Sequence, residues 1–189
     1  ILPVLVSLSH DDNAQVRSHV ALCLGAVMSN LNDIGSIITH IWPIIQLFHK
    51  DQRWRVRRSL VTQLSVFVQI LFHGAAVPSP INSEIVSSPP LSSARIAFFE
   101  NNLMPIIQQL LSENVHAVRN RMAAECRNLV YLIGNNNIFL NCFLPIISNL
   151  FDSQHNYLLR ITSLHCVYFC ATAQYQSFNV DLFINDLLP

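Results

Sequence analysis

The sequence predicts an all-α protein made of antiparallel helix pairs that stack into an α-α superhelix. A pattern of 20 residues occurs four times, as ILPVLVSLSHDDNAQVRSHV, IWPIIQLFHKDQRWRVRRSL, LMPIIQQLLSENVHAVRNRM and FLPIISNLFDSQHNYLLRIT. Each copy has an apolar segment that contains a proline, then a polar turn, then a second apolar segment that begins near an arginine. Apolar residues recur in both segments at the three- and four-residue spacing of a helix face. Each copy is therefore predicted to be one helix pair.

The prolines give the length of the repeating unit. Pro3 and Pro43 are 40 residues apart, as are Pro105 and Pro145, and the last two residues open a fifth copy. Repeats of about 40 to 47 residues with two helices each are typical of HEAT and armadillo arrays. Because Pro43 and Pro105 are 62 residues apart, the sequence predicts an insertion of about 22 residues between the second and third repeats.

The alignment of the four copies predicts the order of the repeats. The order is a repeat with a truncated start at 1–33, a repeat at 34–73, a flexible Pro- and Ser-rich insertion at 74–95, repeats at 96–135 and 136–177, and the start of a further repeat at 178–189. The chain starts without a methionine, and we expect it to be a fragment of a longer array. The insertion is interpreted as a tolerated surface loop. A phosphorylated or partner-binding segment is the alternative, because Ser79 and Ser88 each precede a proline.

In the first two repeats, helical spacing predicts a buried side for every helix. In the first repeat the residues of these sides are Leu2, Leu5 and Leu8, followed by Val16, Val20, Leu24 and Val27. In the second repeat they are Ile37, Ile41, Ile44, Ile45 and Phe48, followed by Val56, Leu60, Leu64, Phe67, Val68 and Leu71. The polar residues from His10 to Asn13 supply a turn and capping oxygens between the first two helices.

The third and fourth repeats have the same organisation. The predicted buried residues of the third are Ile96, Phe99, Leu103, Ile106, Ile107 and Leu110, followed by Val118, Met122, Cys126, Leu129 and Ile133. Those of the fourth are Phe139, Phe143, Ile146, Ile147 and Leu150, followed by Leu159, Leu164, Val167 and Phe169. The run 134–137, Gly-Asn-Asn-Asn, is predicted to end the third repeat. The proline in each first helix is expected to bend it, because proline removes one backbone hydrogen bond.

Acidic residues and arginines recur at equivalent places, so we predict that they pair within each turn and along the array. The residues of this predicted ladder are Asp11 and Arg17, Asp51 and Arg57, Glu113 and Arg119, and Asp152 and Arg160. Opposite charges held at hydrogen-bond distance by successive repeats would stabilise the stacking of one repeat on the next.

The charge balance argues against several kinds of partner. The chain has 11 basic and 11 acidic residues, and only 12% of its residues are charged. Non-specific nucleic-acid binding and binding to anionic membranes both need an excess of Lys and Arg, so neither is predicted. The most apolar stretch, SLVTQLSVFVQILF, is interrupted by Gln63 and Gln69 and is shorter than the ~18 apolar residues of a membrane span.

The five cysteines do not have the spacing of a disulfide framework. Reduced, buried thiols in an intracellular protein are the expectation, in the cytoplasm and, as a second location, in the nucleus. Cys166 and Cys170 share a helix face beside His165. A zinc site needs four ligands in tetrahedral reach, and without a C-x-x-C or H-x-x-x-H partner these thiols are predicted to be buried rather than metal-bound. The chain has four glycines and lacks a phosphate-binding loop and a nucleophile motif, so no enzyme activity and no cofactor are predicted.

Three of the turns resemble HEAT repeats of the scaffolding (regulatory A) subunit of protein phosphatase 2A. They are Asp51 to Arg57, Glu113 to Arg119 and Asn156 to Cys166, and they occur in that family's order and spacing apart from the insertion. The resemblance covers nearly the whole chain and would place it in the C-terminal half of the scaffold. It implies a horseshoe of helix pairs whose turns hold the phosphatase catalytic subunit, while other repeats hold a regulatory (B-type) subunit.

The resemblance also implies which residues bind protein. These predicted protein-binding residues are Arg53, Trp54, Arg55, His116, Tyr157 and Leu158. At position 116 the family usually has a tyrosine, and the insertion has no counterpart there. A divergent relative, such as a protein phosphatase 4 type scaffold, is therefore kept as an alternative.

Trp54 is the most informative of these residues. A large aromatic side chain in a turn is poorly explained by core packing, and Trp and Arg are enriched at binding hot spots. The alternatives are a tryptophan folded back on its own repeat, or a nucleic-acid patch formed with the neighbouring arginines, which the neutral chain disfavours. An importin-like transport or assembly adaptor, which would bind protein cargo on the concave second helices, is the alternative function to the phosphatase scaffold.

Overall fold

The computed structural model describes residues 1–31, 33–74, 93–133, 138–152 and 156–172, without the side chains of 139 and 140. Nearly all of these residues lie in helices, and no strand occurs in the described ranges. The prediction of an all-α fold made of packed helix pairs is confirmed. The chain forms two compact units, Ile1–Asn101 and Asn102–Pro189, which are described separately.

The first unit contains two helix pairs and the start of a third. Its helices are α1 (Leu2–Ser9), α2 (Ala14–Leu31), α3 (Ile34–Ser36), α4 (Trp42–Phe48), α5 (Trp54–His73) and α6 (Ser93–Phe98). A π-helical turn, Ile37–Ile41, joins α3 to α4. Helix α1 packs on α2, α4 packs on α5, and α2 packs on α5. The second helices of successive pairs are therefore neighbours.

Local signals set the ends of these helices. The Asn13 side chain accepts a hydrogen bond from the Gln15 amide at 2.9 Å at the start of α2, and the Asp33 carboxylate accepts two amide hydrogen bonds at the start of α3. Both satisfy amides that have no partner within the helix. Helix α5 ends at His73 and is followed by Gly74, whose φ of 80° favours glycine.

The core of the first unit contains the residues that were predicted to be buried in the second repeat. Every residue of its two predicted buried sides is buried. Three aromatic rings add to this core: Trp42 lies 5.7 Å from Phe67 and 5.0 Å from Phe98, and the two phenylalanine rings are 6.2 Å apart. Full burial of a side chain such as Phe67 stabilises the fold by about 2–3 kcal/mol.

The second unit contains most of the third repeat and the fourth repeat. Its helices are α7 (Met104–Leu111), α8 (His116–Ile133), α9 (Leu144–Phe151) and α10 (Tyr157–Thr172). Helix α7 packs on α8, α9 packs on α10, and α8 packs on α10. The boundary between the two units falls within a π-helical turn, Phe99–Leu103.

The prolines occur at the same place in three first helices. Pro43, Pro105 and Pro145 lie in the first turn of α4, α7 and α9, and a π-helical turn precedes each of these helices. Proline has no amide hydrogen and its ring clashes with the carbonyl four residues earlier. A wider turn before the proline accommodates both effects. The superhelical curvature expected from these prolines stays a prediction.

Two of the predicted buried sides are wrong. In α1, Leu5 is buried but Leu8 is 39% exposed. In α10, Leu164 is 55% exposed, and the buried residues are Thr162, Ser163, Cys166 and Cys170. The side of α10 that faces α8 and α9 thus carries small side chains, whose polar groups are satisfied by hydrogen bonds. Ser163, for example, donates to the Ile147 carbonyl at 2.9 Å.

Several predictions concern residues outside the described ranges. They are most of the insertion at 74–95, the end of the third repeat at 134–137, part of the fourth turn at 153–155, and the start of a further repeat at 178–189. Helix α6 already begins at Ser93, within the predicted insertion. Within the described residues, no helix has both the length and the apolar character needed to cross a bilayer.

Candidate protein interface at the turns

The two turns of the first unit contain the same type of hydrogen bond. The Asp11 carboxylate accepts a hydrogen bond from the Asn13 amide at 2.7 Å, and the Asp51 carboxylate accepts one from the Arg53 amide at 2.8 Å. An aspartate that binds the amide two residues later closes a turn that resembles a backbone turn. Both turns are therefore closed in the same way, whereas only α2 has a side-chain cap, from Asn13.

In three of the turns, the arginine six residues after the acidic residue donates hydrogen bonds to main-chain carbonyls of the turn. Arg17 donates from Nη1 to the carbonyls of Asp11 and Asp12 at 2.7 and 3.0 Å. Arg57 donates from Nη1 to the carbonyl of Asp51, and Arg119 donates from Nη1 to the carbonyl of Glu113 at 2.5 Å. Charged donors make stronger hydrogen bonds than neutral ones, so this spacing stiffens the turns.

Arg17 also links the first pair to the second. It donates from Nε to Asp51 Oδ2 at 2.7 Å and from Nη2 to Asp51 Oδ1 at 3.1 Å. This two-point ion pair is largely shielded from water, since the Arg17 and Asp51 side chains are 17% and 6% exposed. It is the cross-repeat contact expected of the predicted ladder.

The ion pair changes the pKa of both partners. Burial alone would raise the pKa of Asp51, but the hydrogen bonds from Arg17 and the Arg53 amide, with the charges of Arg17 and Arg57, lower it below its usual value. The hydrogen bond to Asp51 raises the pKa of Arg17. Both shifts favour the charged forms, so Asp51 is ionised at neutral pH.

In the second unit the cross-repeat contact has a different acceptor. Arg119 is buried and donates from Nε to Thr162 Oγ1 at 3.2 Å. Asp152 is exposed, and so is Arg160 near the start of α10. Thr162 takes the contact because its hydroxyl lies on the side of α10 that faces α8. A threonine one turn into the helix was not predicted as the acceptor.

Trp54 and its two neighbours form one exposed group at the start of α5. Trp54 is the first residue of that helix rather than the tip of the turn, and it is half-buried. Arg55 lies over the Trp54 ring, with Cζ 4.7 Å from the ring centre, a distance typical of a cation-π contact. Arg53 and Arg55 are both exposed. The indole is thus covered on one face by a cation and is half-buried rather than fully buried.

A groove lies between this group and the start of α2. It has a volume of about 840 Å³, and Trp54, Arg53 and Arg55 contribute to its lining together with Asp12 and His19. Charged and aromatic side chains on a concave surface can supply both desolvated apolar area and hydrogen bonds to a partner. The groove therefore has both aromatic and charged side chains in its lining.

The other predicted protein-binding residues lie in the second unit. His116 is the first residue of α8 and is exposed. Tyr157 is the first residue of α10 and is 63% exposed, while Leu158 beside it is half-buried. The Leu158 amide donates to the Asn156 side chain at 3.0 Å, which fixes the start of α10. Since α8 packs on α10 and both helices begin at these residues, His116 and Tyr157 occupy equivalent positions.

Two polar contacts between second helices were not predicted. The hydroxyls of Ser18 and Ser59 are 2.7 Å apart, and the Gly25 amide donates to Gln63 Oε1 at 3.1 Å. Only the absence of a side chain lets the glutamine approach so closely, because a Cβ on Gly25 would lie 2.3 Å from Gln63 Oε1. The sequence signal that could have predicted these contacts is the recurrence of polar residues near the middle of both second helices.

The cysteines differ in their surroundings. Cys126, Cys166 and Cys170 are buried, as predicted, whereas Cys23 is exposed and contradicts the prediction of buried thiols. A hydrogen bond with Cys166 and burial both raise the pKa of the Cys126 thiol, and burial raises that of Cys170. In the described part of the chain, no three histidine, cysteine or acidic side chains are placed to hold a metal ion.

Comparison with known families gives one match. The sequence model of the HEAT repeat matches residues 1–31, the segment that forms α1 and α2. A search of curated proteins finds no significant match. The match, together with the fold of paired helices, supports a HEAT-repeat protein. It does not distinguish a phosphatase scaffold from other HEAT-repeat proteins.

The HEAT-repeat match suggests a class of protein. HEAT-repeat folds typically serve as non-catalytic scaffolds or adaptors that bind other proteins. Stacked repeats present extended surfaces for such partners. The Trp54 group and Tyr157 both lie at the start of a second helix, and Tyr157 is 63% exposed.

Proposed function

We propose that the chain is a non-catalytic scaffold whose turns bind the catalytic subunit of a serine/threonine protein phosphatase of the 2A type. Other repeats would bind a regulatory (B-type) subunit, and the scaffold would position the two. The resemblance of three turns supports the choice of partner, with a protein phosphatase 4 type scaffold as the close alternative. We also propose a cytoplasmic location, with the nucleus as a second one.

The observation that carries the proposal is the Trp54 and Arg55 pair at the start of α5. Its cation-π contact holds an indole and a guanidinium together at the edge of a groove. The turn behind it is fixed by Arg57, and the turn is linked to the first pair by Arg17. Side chains held in place before binding lose less conformational entropy when a partner covers them. Aromatic and arginine anchors of this kind dominate the energy of many interfaces.

Alanine substitutions test the proposal directly. Trp54→Ala is expected to weaken binding of the purified catalytic subunit by at least ~2 kcal/mol, or about 30-fold in Kd, which is typical of a central aromatic anchor. Arg55→Ala and Tyr157→Ala are expected to act in the same direction. Calorimetric titration measures the affinity, and a thermal melt of each variant shows that the fold is kept.

Tyr131→Ala is the matched control. Tyr131 is 60% exposed on α8 but does not belong to the turns, so its loss is expected to leave phosphatase binding unchanged. If Trp54→Ala and Arg55→Ala bind the catalytic subunit as tightly as the unsubstituted chain does, the turns do not form its binding site.

An adaptor for protein cargo is the second candidate function. The observation in its favour is that second helices expose apolar side chains, such as Leu22 at 46% and Tyr131 at 60%. Exposed apolar area away from the turns suits a partner that binds along the helices. In this case Tyr131→Ala would weaken binding of the partner and Trp54→Ala would not.

A further inference from the structure

A second groove lies between the turn that precedes α2 and the turn that precedes α5. It has a volume of about 510 Å³ and is lined by residues 9–12 of the first turn and 50–53 of the second, together with Arg17, Gln46 and Leu47. We call it the turn groove. Its volume falls within the range of about 300–1,000 Å³ that is typical of ligand-binding pockets. It adjoins the groove beside Trp54, because residues 12, 52 and 53 line both.

The ion pair between Arg17 and Asp51 lies at the bottom of the turn groove. Both side chains contribute to the lining, yet they are only 17% and 6% exposed. Each of these two charges already has its partner, so neither is available to a ligand. The ion pair also fixes the distance between the two turns, because it joins the first helix pair to the second.

The two sides of the turn groove carry opposite charges that have no partner. Asp12 is exposed on the first turn, and Lys50 and Arg53 are exposed on the second. Within the described ranges, these three side chains make no hydrogen bond and no ion pair, so Asp12 does not neutralise Arg53 across the groove. The neighbouring Asp11 carboxylate is occupied by the Asn13 amide. One side of the groove is thus acidic and the other side is basic.

An extended peptide in which acidic and basic residues alternate fits these two sides. Consecutive side chains of an extended chain point in opposite directions. The acidic side chains would reach Lys50 and Arg53, while the basic side chains would reach Asp12. Gln46 and Gln52 are exposed in the same groove. Their amide groups can both donate hydrogen bonds to the peptide backbone and accept hydrogen bonds from it.

The charges of the turn groove disfavour occupants of uniform charge. An acidic segment or a nucleic-acid strand would pair with Lys50 and Arg53 but would bring negative charge to Asp12. A basic segment would pair with Asp12 but would face two cations. Like charges placed opposite each other at an interface suppress binding of the wrong partner. A segment of alternating charge avoids both kinds of repulsion.

We propose that the turn groove binds an extended segment of a partner protein in which acidic and basic residues alternate. The acidic residues of the segment pair with Lys50 and Arg53, and its basic residues pair with Asp12. The proposal goes beyond phosphatase binding and does not rest on it, because it concerns the chemistry of the segment and not the protein that carries it. Of the predicted protein-binding residues, all of which lie in the described ranges, Arg53 alone lines this groove.

Fluorescence anisotropy with labelled peptides tests the proposal on the full chain. The probe is a short capped peptide of alternating glutamate and lysine. The reference peptide has the same composition, but its glutamates and its lysines form two separate blocks. The alternating peptide is expected to bind at least ~3-fold more tightly than the block peptide. Measurements at about 0.1 M salt limit the influence of distant charges, because charges are screened beyond roughly 10 Å.

Charge-removing variants show whether both sides of the groove take part. Arg53→Gln and Asp12→Asn are each expected to weaken binding of the alternating peptide by about twofold to fivefold, which corresponds to the loss of one exposed ion pair. Asp12→Asn is expected to strengthen binding of a polyglutamate peptide, because it removes a repulsion. Opposite effects of one substitution on the two peptides are expected only if an acidic side chain lies opposite the basic ones.

Arg58→Gln and Asp152→Asn are the matched controls. Each removes the same charge as its counterpart from an exposed side chain that does not line the turn groove. Both are expected to change the affinity for the alternating peptide by less than ~1.5-fold. Circular dichroism shows that every variant is folded.

Three results would overturn the proposal. The alternating peptide could bind no more tightly than the block peptide, or could fail to bind up to its solubility limit. Asp12→Asn could strengthen binding of the alternating peptide, which would make the groove a site for acidic segments. A single-stranded oligonucleotide could bind more tightly than the peptide and lose affinity in Arg53→Gln, which would make the groove a nucleic-acid site. Each of these results leaves the proposed phosphatase binding open, because titration of Trp54→Ala with the catalytic subunit tests that separately.

Discussion

Replacing Arg17 by methionine removes the contact that joins the first two helix pairs, while keeping much of the apolar length of the side chain. The substitution breaks two hydrogen bonds to the Asp51 carboxylate and two to the carbonyls of Asp11 and Asp12. It also leaves the Asp51 side chain, which is 6% exposed, without its ion-pair partner. The first unit is therefore expected to lose stability.

The size of this loss can be worked out from the contacts. Removing one partner of a buried ion pair costs about 3–5 kcal/mol. The low end applies here, because Asp51 keeps its hydrogen bond from the Arg53 amide. The two carbonyls lie at the surface and can bind water, which adds ~0.5–1 kcal/mol. A total of about 3.5–4 kcal/mol corresponds to a decrease in melting temperature of roughly 7–16 °C for a chain of this size.

Thermal and urea unfolding followed by far-UV circular dichroism measure the effect. Lys50→Met is the matched control, because Lys50 is an exposed cation in the neighbouring turn, and its loss is expected to change stability by less than ~0.5 kcal/mol. Arg17→Lys keeps the charge but not the two-point geometry and is expected to fall between the two. If the melting temperature of Arg17→Met lies within about 1 °C of that of Lys50→Met, the ion pair does not hold the two helix pairs together.

Individual contacts give three more predictions. The pKa of Asp51 is lowered by folding, so its stabilisation is present above the usual aspartate pKa near ~4 and is lost as the pH falls through the lower folded value. When the pH is lowered from 7 to 3, the urea midpoint is therefore expected to decrease less for Asp51→Asn than for the unsubstituted chain. Gly25→Ala is expected to destabilise the protein by ~1 kcal/mol, because the Gln63 side chain must move, although alanine has a better helix propensity than glycine. In a Gln63→Ala background the same change is expected to be neutral or stabilising. Cys23 is exposed and is expected to react with a thiol reagent in the folded protein, whereas Cys166 is buried and is expected to react only after denaturant is added.

The sequence was sufficient to predict burial where apolar residues recur at helical spacing on one side of a helix. All the predicted buried residues of the second repeat are buried, because large aliphatic and aromatic residues recur there on one side of each helix. The six-residue spacing between acidic residue and arginine also predicted where Arg17, Arg57 and Arg119 hold their turns.

The sequence was insufficient where small polar residues pack between helices. Thr162 and Ser163 are buried because Arg119 and the Ile147 carbonyl satisfy their hydroxyls. Those partners lie on other helices, so helical spacing alone does not reveal them. The same spacing assigned Leu164 to the core, although it is exposed. A helix with apolar residues on several sides does not show from its own sequence which side its neighbours cover.

The sequence predicted the residue types of the candidate site better than it predicted their positions. An aromatic and basic group at the second turn was expected from the sequence, and Trp54 and Arg55 form it. The sequence placed Trp54 in the turn, whereas it is the first residue of α5 and half-buried. The helix begins one residue after Arg53 because Asp51 closes the turn at that point. Only the three-dimensional arrangement shows the groove that Trp54 shares with the start of α2.

Hydrogen exchange of the chain with and without a phosphatase catalytic subunit tests the central claim most directly. If the turns bind this partner, amides near Trp54, His116 and Tyr157 are expected to exchange more slowly in the complex. Amides around Tyr131 are expected to be unchanged. Slower exchange confined to the region of Tyr131, or no change anywhere at a saturating concentration of the catalytic subunit, would contradict the claim that the turns are a phosphatase-binding surface.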